Sequence, residues 1–269
     1  MNTTLRPHLV LCGLLAALMV GCAGAPAPSP TPVPTLPATP VPTLPATPGP
    51  TPMPSSTPVP SQSPTPSGTT NVTTPAQAAA LVFASDERWA RMSPPRADLI
   101  GASSSFEAFA DPTGFTVNIT FGQGDCQAGC IEKHTWKYHV DPAGVVALVS
   151  ESGDDIDVQP ETGGDGPARV TVHLNAGPVC PVETVPPDPN CAPRAVANAE
   201  VTIYDASGNE VATDTSDEDG KVSFEIEAGA YYAVAQPVEG LMGTPDAQAF
   251  ALLGGDQVGL LFGYDTGIR

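Results

Sequence analysis

Four residues near the middle of the chain, Cys126, Cys130, His134 and His139, have the types and the C-x3-C-x3-H-x4-H spacing of a zinc site. Thiolate and imidazole are ligands that zinc favours. Two arguments oppose a metal. His134 and His139 are five apart on a stretch whose alternation predicts a strand, so their side chains leave opposite faces. Close cysteines in an oxidising compartment also pair more often than they bind metal. The pattern therefore predicts a Cys126–Cys130 disulfide, with both histidines at surface or rim positions. Cys180 and Cys191 bracket PVETVPPDPN, a loop too rich in proline to be strand or helix. Ten intervening residues let the two Cα atoms reach the roughly 4.4–6.8 Å that a disulfide needs. A cross-pairing such as Cys126 with Cys180 is the alternative, disfavoured because each local pair falls inside one predicted fold.

Other chemistries are incomplete. Asp217, Asp219 and Gly220 sit as in a calcium loop, but Thr215 takes the first ligand position and Ile226 the twelfth, where a bidentate Glu is needed. GASSS at 101–105 lacks the last glycine of a nucleophile elbow. Lys221, the one lysine of the C-terminal segment, follows a mid-segment turn and is badly placed for an intramolecular isopeptide. No HExxH or P-loop occurs. The sequence predicts no enzyme, no cofactor and no metal ligand set. A net charge of −19 also argues against nucleic acid as a partner, because phosphate binding draws on cationic patches.

The two remaining cysteines, Cys12 and Cys22, belong to the N-terminus. Arg6 and His8 precede an apolar run from Leu9 to Val20. A membrane-spanning helix needs about twenty apolar residues, so the run is a signal rather than an anchor. It ends in Leu18-Met19-Val20-Gly21-Cys22, which resembles the bacterial lipobox, with Met19 where Leu is usual. That resemblance implies a signal peptide over 1–21, acylation of Cys22, and a membrane-anchored lipoprotein on the extracytoplasmic face.

The elements that must carry these residues follow from pattern. From Ala23 to Pro75 there are eighteen prolines and no charge, and TPVPTLPA at 31–38 recurs at 39–46. Proline at this density favours an extended polyproline spacer over a packed fold, so 22–74 is predicted to be a disordered stalk. Thr74-Pro75 is a helix start, and Ala78, Leu81, Val82, Ser85, Trp89 and Met92 share one helical face, predicting an amphipathic helix up to Pro94-Pro95. Period-two alternation follows in Phe115, Val117, Ile119 and Phe121, then in Trp136, Tyr138 and Val140, with DPTG and DPAG turns. A small α+β domain over 75–160, one helix against an antiparallel meander, is the expectation. Short alternating strands separated by Asp- and Gly-rich turns recur over 165–269 and predict a β-sandwich. The fold class is mainly β.

Within that second segment, VANAEVTIYDASG, TSDEDGKVSFEI and AGAYYAV resemble the carboxypeptidase regulatory-like domain, a transthyretin-like sandwich, over roughly Ala168 to Gln236. Ala228-Gly229 stands where Pro-Gly is usual. The resemblance implies an accessory module without catalytic residues. The latter half of GDCQAGCIEKHTWKYHVDPAGVVALV also resembles a PepSY-type meander, which implies a binding or inhibitory role. Two functional readings follow. The first is a non-catalytic binding or structural module of the envelope, with a glycan or envelope protein as partner. The second is an inhibitor or sensor lipoprotein whose α+β segment engages an exported enzyme.

Overall fold

The computed structural model describes residues 71–95, 102–182 and 184–269. The signal sequence, the acylation candidate Cys22 and nearly all of the predicted stalk lie outside these residues. The chain enters at Val72, which is buried and whose N–H donates to the Pro142 carbonyl at 3.0 Å.

Helix α1 spans Pro75–Ser85, PAQAAALVFAS. Thr74 caps it, its hydroxyl accepting the Gln77 N–H at 3.1 Å, with proline in the first turn where a missing donor costs nothing. Here the structure departs from the one-faced helix predicted to run on to Pro94. Every residue from Ala76 to Phe83 is buried, so α1 has no solvent face over two turns. The reason is compositional. The helix carries no charge, and its one polar interior residue, Gln77, is satisfied by accepting the Thr73 N–H at 3.1 Å. A helix apolar all round must be enclosed. It also ends early, because Asp86 turns extended and its carboxylate caps a following 3-10 turn, Glu87–Trp89. Trp89 and Met92 are buried as their pattern suggested, but from that turn and the segment after it.

One wall of the enclosure is the meander. Strands β1 (Ser104–Asp111), β2 (Gly114–Gln123), β3 (Glu132–Val140) and β4 (Val146–Gly153) pair in sequence order, all antiparallel. Val117, Ile119, Trp136, Tyr138 and Val140 point to the helix and are buried. Phe83 of α1 meets Phe106 of β1 edge-on, ring centroids 5.0 Å apart.

The other wall belongs to the sandwich. Its strands are β5 (Ala168–Gly177), β6 (Arg194–Ala195), β7 (Glu200–Asp205), β8 (Glu210–Thr215), β9 (Lys221–Ile226), β10 (Gly229–Ala235), β11 (Gln248–Leu252) and β12 (Gln257–Asp265). One sheet runs β11-β10-β7-β8. In the other, β5 is central, with β12 parallel on one side and β6 and β9 antiparallel on the other. Val170, Val172, Leu174, Val201, Ile203, Phe250 and Phe262 fill the space between the sheets. The β10–β11 sheet is covered on its second face as well. There Tyr232, Ala249 and Ala251 join α1 in the same core as the meander. Small side chains on both partners let helix and sheet approach closely. Gly208, in the β7–β8 turn with φ +89°, sits where an added Cβ would come within 3.0 Å of the Gln77 amide. Burial beside Tyr204 pushes the Tyr232 phenol up to about 12.

Enclosure on all sides makes the alanines volume-limited. Ala79→Leu, at a position with no exposure, should lose about 1–3 kcal/mol by overpacking. The exposed Ala84→Leu on the same helix should change stability by less than about 0.5 kcal/mol. Denaturant melts of the two variants check this, and equal losses would contradict an enclosed helix.

Candidate functional site

Three places gather polar or reactive groups. The first is the turn after α1. Trp89 is fully buried and donates its Nε1–H to the Tyr138 hydroxyl at 3.1 Å. Its ring meets Trp136 edge-on at 5.0 Å, and the Arg88 guanidinium lies over both rings, 4.8 and 5.3 Å from their centroids. Asp86 holds that guanidinium at 2.6 Å. Burial alone would raise the Asp86 carboxyl, but hydrogen bonds from Arg88 outweigh it and leave the group below its ordinary value. Burial pushes the Tyr138 phenol up. Arg91 then forks onto Asp256 in the β11–β12 turn, at 3.0 and 2.9 Å, and also pairs with Glu161. These contacts orient the post-helix turn against both walls; their geometry is that of a lock.

The second place is the β2–β3 connection. Cys126 and Cys130 are joined as a disulfide there, and Cys180 and Cys191 are joined in the loop between β5 and β6. The short loop folds back over the outer face of the meander, the face turned away from α1. Gly122 makes this approach possible, since a Cβ there would meet the Cys130 Sγ at 2.6 Å. Loop and sheet enclose a shallow cleft of about 360 Å³. His134 and His139 do not join the cysteines. His134 lies on the helix side of β3 beside Trp136, its ring 4.3 Å away and its Nδ1 2.6 Å from the Asp154 carbonyl. His139 lies on the other face, against Thr113. Among the described residues no group of three His, Cys, Asp or Glu is arranged to hold a metal.

The third place is the set of acidic turns in the sandwich. The Asp217 carboxylate accepts the N–H groups of Asp219 and Lys221 at 2.9 and 2.8 Å, and Ile226 is in the core. Asp205 closes its turn with Asn209 in the same manner. These carboxylates are committed to local backbone. Lys221 is exposed at the start of β9, and the buried residues between the two sheets include no lysine.

Residues 192–235, from the disulfide loop through β10, match the SpaA prealbumin-like fold domain. The sandwich has a prealbumin-like, transthyretin-like fold. This agrees with the fold that the carboxypeptidase regulatory-like resemblance implied, while the matching family is a different one. Solved structures match only at low similarity. They include the TIE protein of Bacillus anthracis, at 16% identity and a TM-score of 0.29, over 61% of this chain and 31% of that one. The shaft pilin SpaA of Lactobacillus rhamnosus GG gives 12% and 0.28, over 37% and 49%. GBS52, the minor pilin of Streptococcus agalactiae, gives 9% and 0.30, over 51% and 61%. The chain thus spans less than two thirds of each of these structures. No curated protein matches the chain in sequence at a significant level.

Sequence reasoning missed the cleft, because its walls come from the β1 entry, β2, β3 and a loop whose fold-back depends on one glycine. It also left β12 unread. Leu260, Phe262 and Tyr264 are buried there and alternate with Gly259, Leu261 and Gly263, a period-two signal present in the sequence.

Closing the longer loop contributes roughly 3 kcal/mol in the chain-entropy account and the shorter one about 2. Non-reducing peptide mapping should recover Cys126 with Cys130 and Cys180 with Cys191. Peptides linking Cys126 or Cys130 to either of the other two would contradict the pairing.

Proposed function

We propose that this chain is an extracytoplasmic lipoprotein, held to the membrane through Cys22, whose folded part is a non-catalytic binding or structural module of the cell envelope. The observation that carries the reading is the prealbumin-like sandwich, matched over 192–235 and built without a titratable cluster between its sheets. The meander supports it, since α1 packs against this sheet and the sandwich alike. A body braced in this way transmits force or presents a surface without rearranging. The proline-rich segment ahead of Val72 would act as spacer. At about 3.1 Å per residue in polyproline form, its roughly fifty residues could extend on the order of 150 Å. The strongly acidic balance suits a solvated surface outside the cell rather than contact with nucleic acid or anionic headgroups.

Anchoring is directly testable. Metabolic labelling with a fatty-acid analogue should tag the wild-type chain in a bacterial host, and Cys22→Ala should abolish the tag and release the protein from membranes. An untagged wild type would overturn the lipoprotein reading while leaving the description of the folded module intact.

A further inference from the structure

The cleft beneath the Cys126–Cys130 loop differs from the rest of this surface. The chain has 29 Asp and Glu residues against 10 Lys and Arg, yet the described residues lining the cleft include no carboxylate. They supply the hydroxyls of Ser103, Ser105 and Thr120, the amide of Gln127 and the ammonium of Lys133. Among the described residues, four of the seven other cations are neutralised at short range. Arg88 pairs with Asp86 at 2.6 Å, Arg91 with Asp256 at 2.9 Å, Arg169 with Glu225 and Arg269 with Asp265 at 2.7 Å each. Lys133 makes no ion pair among the described residues, as is true of Lys137, Arg194 and Lys221, and it alone of these four lines the cleft.

The site is also built rather than incidental. Gly122 leaves room for the disulfide against the sheet, and the disulfide fixes the loop that carries Gln127. Thr120 is held by a 3.0 Å contact between its hydroxyl and that of Thr135 on the neighbouring strand. Its position is distal. The chain enters beside the β3–β4 turn at Pro142, while the loop closes the opposite end of the β2–β3 hairpin, about 30 Å away along nine residues of strand.

The geometry points to this cleft as a binding site for an anionic polyol, a ligand that joins hydroxyl groups to a carboxylate or phosphate. Hydroxyl and amide side chains can each donate and accept, which suits a ring or chain of alcohols. The lysine adds the charge-assisted bond that selects an anion. Repulsion from the acidic remainder of the surface is screened beyond about 8 Å at physiological ionic strength, and inside that distance the Asp154 carboxylate is engaged by the Lys133 backbone N–H at 2.8 Å. The inference deepens the binding half of the proposed function. It is tested on purified protein, apart from the anchoring that Cys22 labelling decides.

The test is titration of the 15N-labelled full chain, followed by amide shifts, with three probes. One is a tetrasaccharide alternating glucuronate and N-acetylglucosamine, one a glycerol-phosphate tetramer, and one the uncharged maltotetraose. At least one anionic probe should saturably shift the amides of Ser105, Thr120, Gln127 and Lys133, and bind more tightly than maltotetraose. Response to the glucuronate probe alone would assign the source to acidic saccharides, and response to the phosphate probe alone to polyol phosphates. Lys133→Gln should weaken that binding about tenfold. Lys137→Gln, on the same face but outside the lining, should change it less than twofold, and Gln127→Ala gives a second variant in the loop. Absence of saturable shifts with both anions, preference for maltotetraose, or binding indifferent to Lys133→Gln would overturn the assignment.

Discussion

The constraint on which this fold depends is the burial of an uncharged, alanine-rich helix between two sheets. Ala78, Ala79, Ala80 and Val82 have no exposure, and the residues touching them come from both the meander and the β10–β11 side of the sandwich. Neither sheet could present its inner face to water at tolerable cost. Val117, Ile119 and Val140 would be uncovered on one side, and Tyr232, Ala249 and Ala251 on the other. The helix satisfies both with the smallest side chains available, which fixes the spacing of the layers. Hydrogen bonds at its ends do the rest. Thr74 and Gln77 close the entry, while Asp86, Arg88 and Trp89 close the exit onto Tyr138.

Charge is arranged around this core in a consistent way. Acidic side chains in the turns accept N–H groups of their own loops, as at Asp111, Asp141, Asp205 and Asp217. Asp111, bonded to Thr113 and Thr116, sits at about 2, well below an ordinary carboxylate. Asp265 is lowered to about 2 by Arg269 and the Gly267 N–H. Such groups are stabilising while ionised, and that contribution is present above the unfolded value near 4 and lost as pH falls towards 2. An acidic balance that would otherwise be self-repelling is thereby partly converted into turn structure.

Much of this was legible in the residues. Alternation placed Phe115, Val117 and Ile119 inward on β2 and Trp136 and Tyr138 inward on β3, and the structure agrees. The DPTG, DPAG and Asp219-Gly220 turns marked strand ends. The enclosure of the helix is less legible, because an apolar face on a helical wheel does not by itself reveal that the opposite face lacks charge. PAQAAALVFAS carries no charge, and its two polar residues find protein partners, Gln77 accepting the Thr73 N–H and Ser85 donating to the Val82 carbonyl. The runs AYYAVA in β10 and QAFAL in β11 carry the matching signal, since strands covered on both faces read as continuous apolar segments. The cleft was not legible at all. It needs a backbone approach permitted by Gly122 and a disulfide folded onto the sheet, and neither follows from spacing.

Helix α1 makes the meander and the sandwich one cooperative body. Native-state hydrogen exchange measures it directly, because it reports the opening free energy of each strand separately. In rising denaturant, the slowest amides of β2 and β3 should converge with those of β10 and β11 on one global opening, with α1 exchanging alongside them. A meander that opens in a separate, lower-energy step while β10 and β11 stay protected would contradict the account.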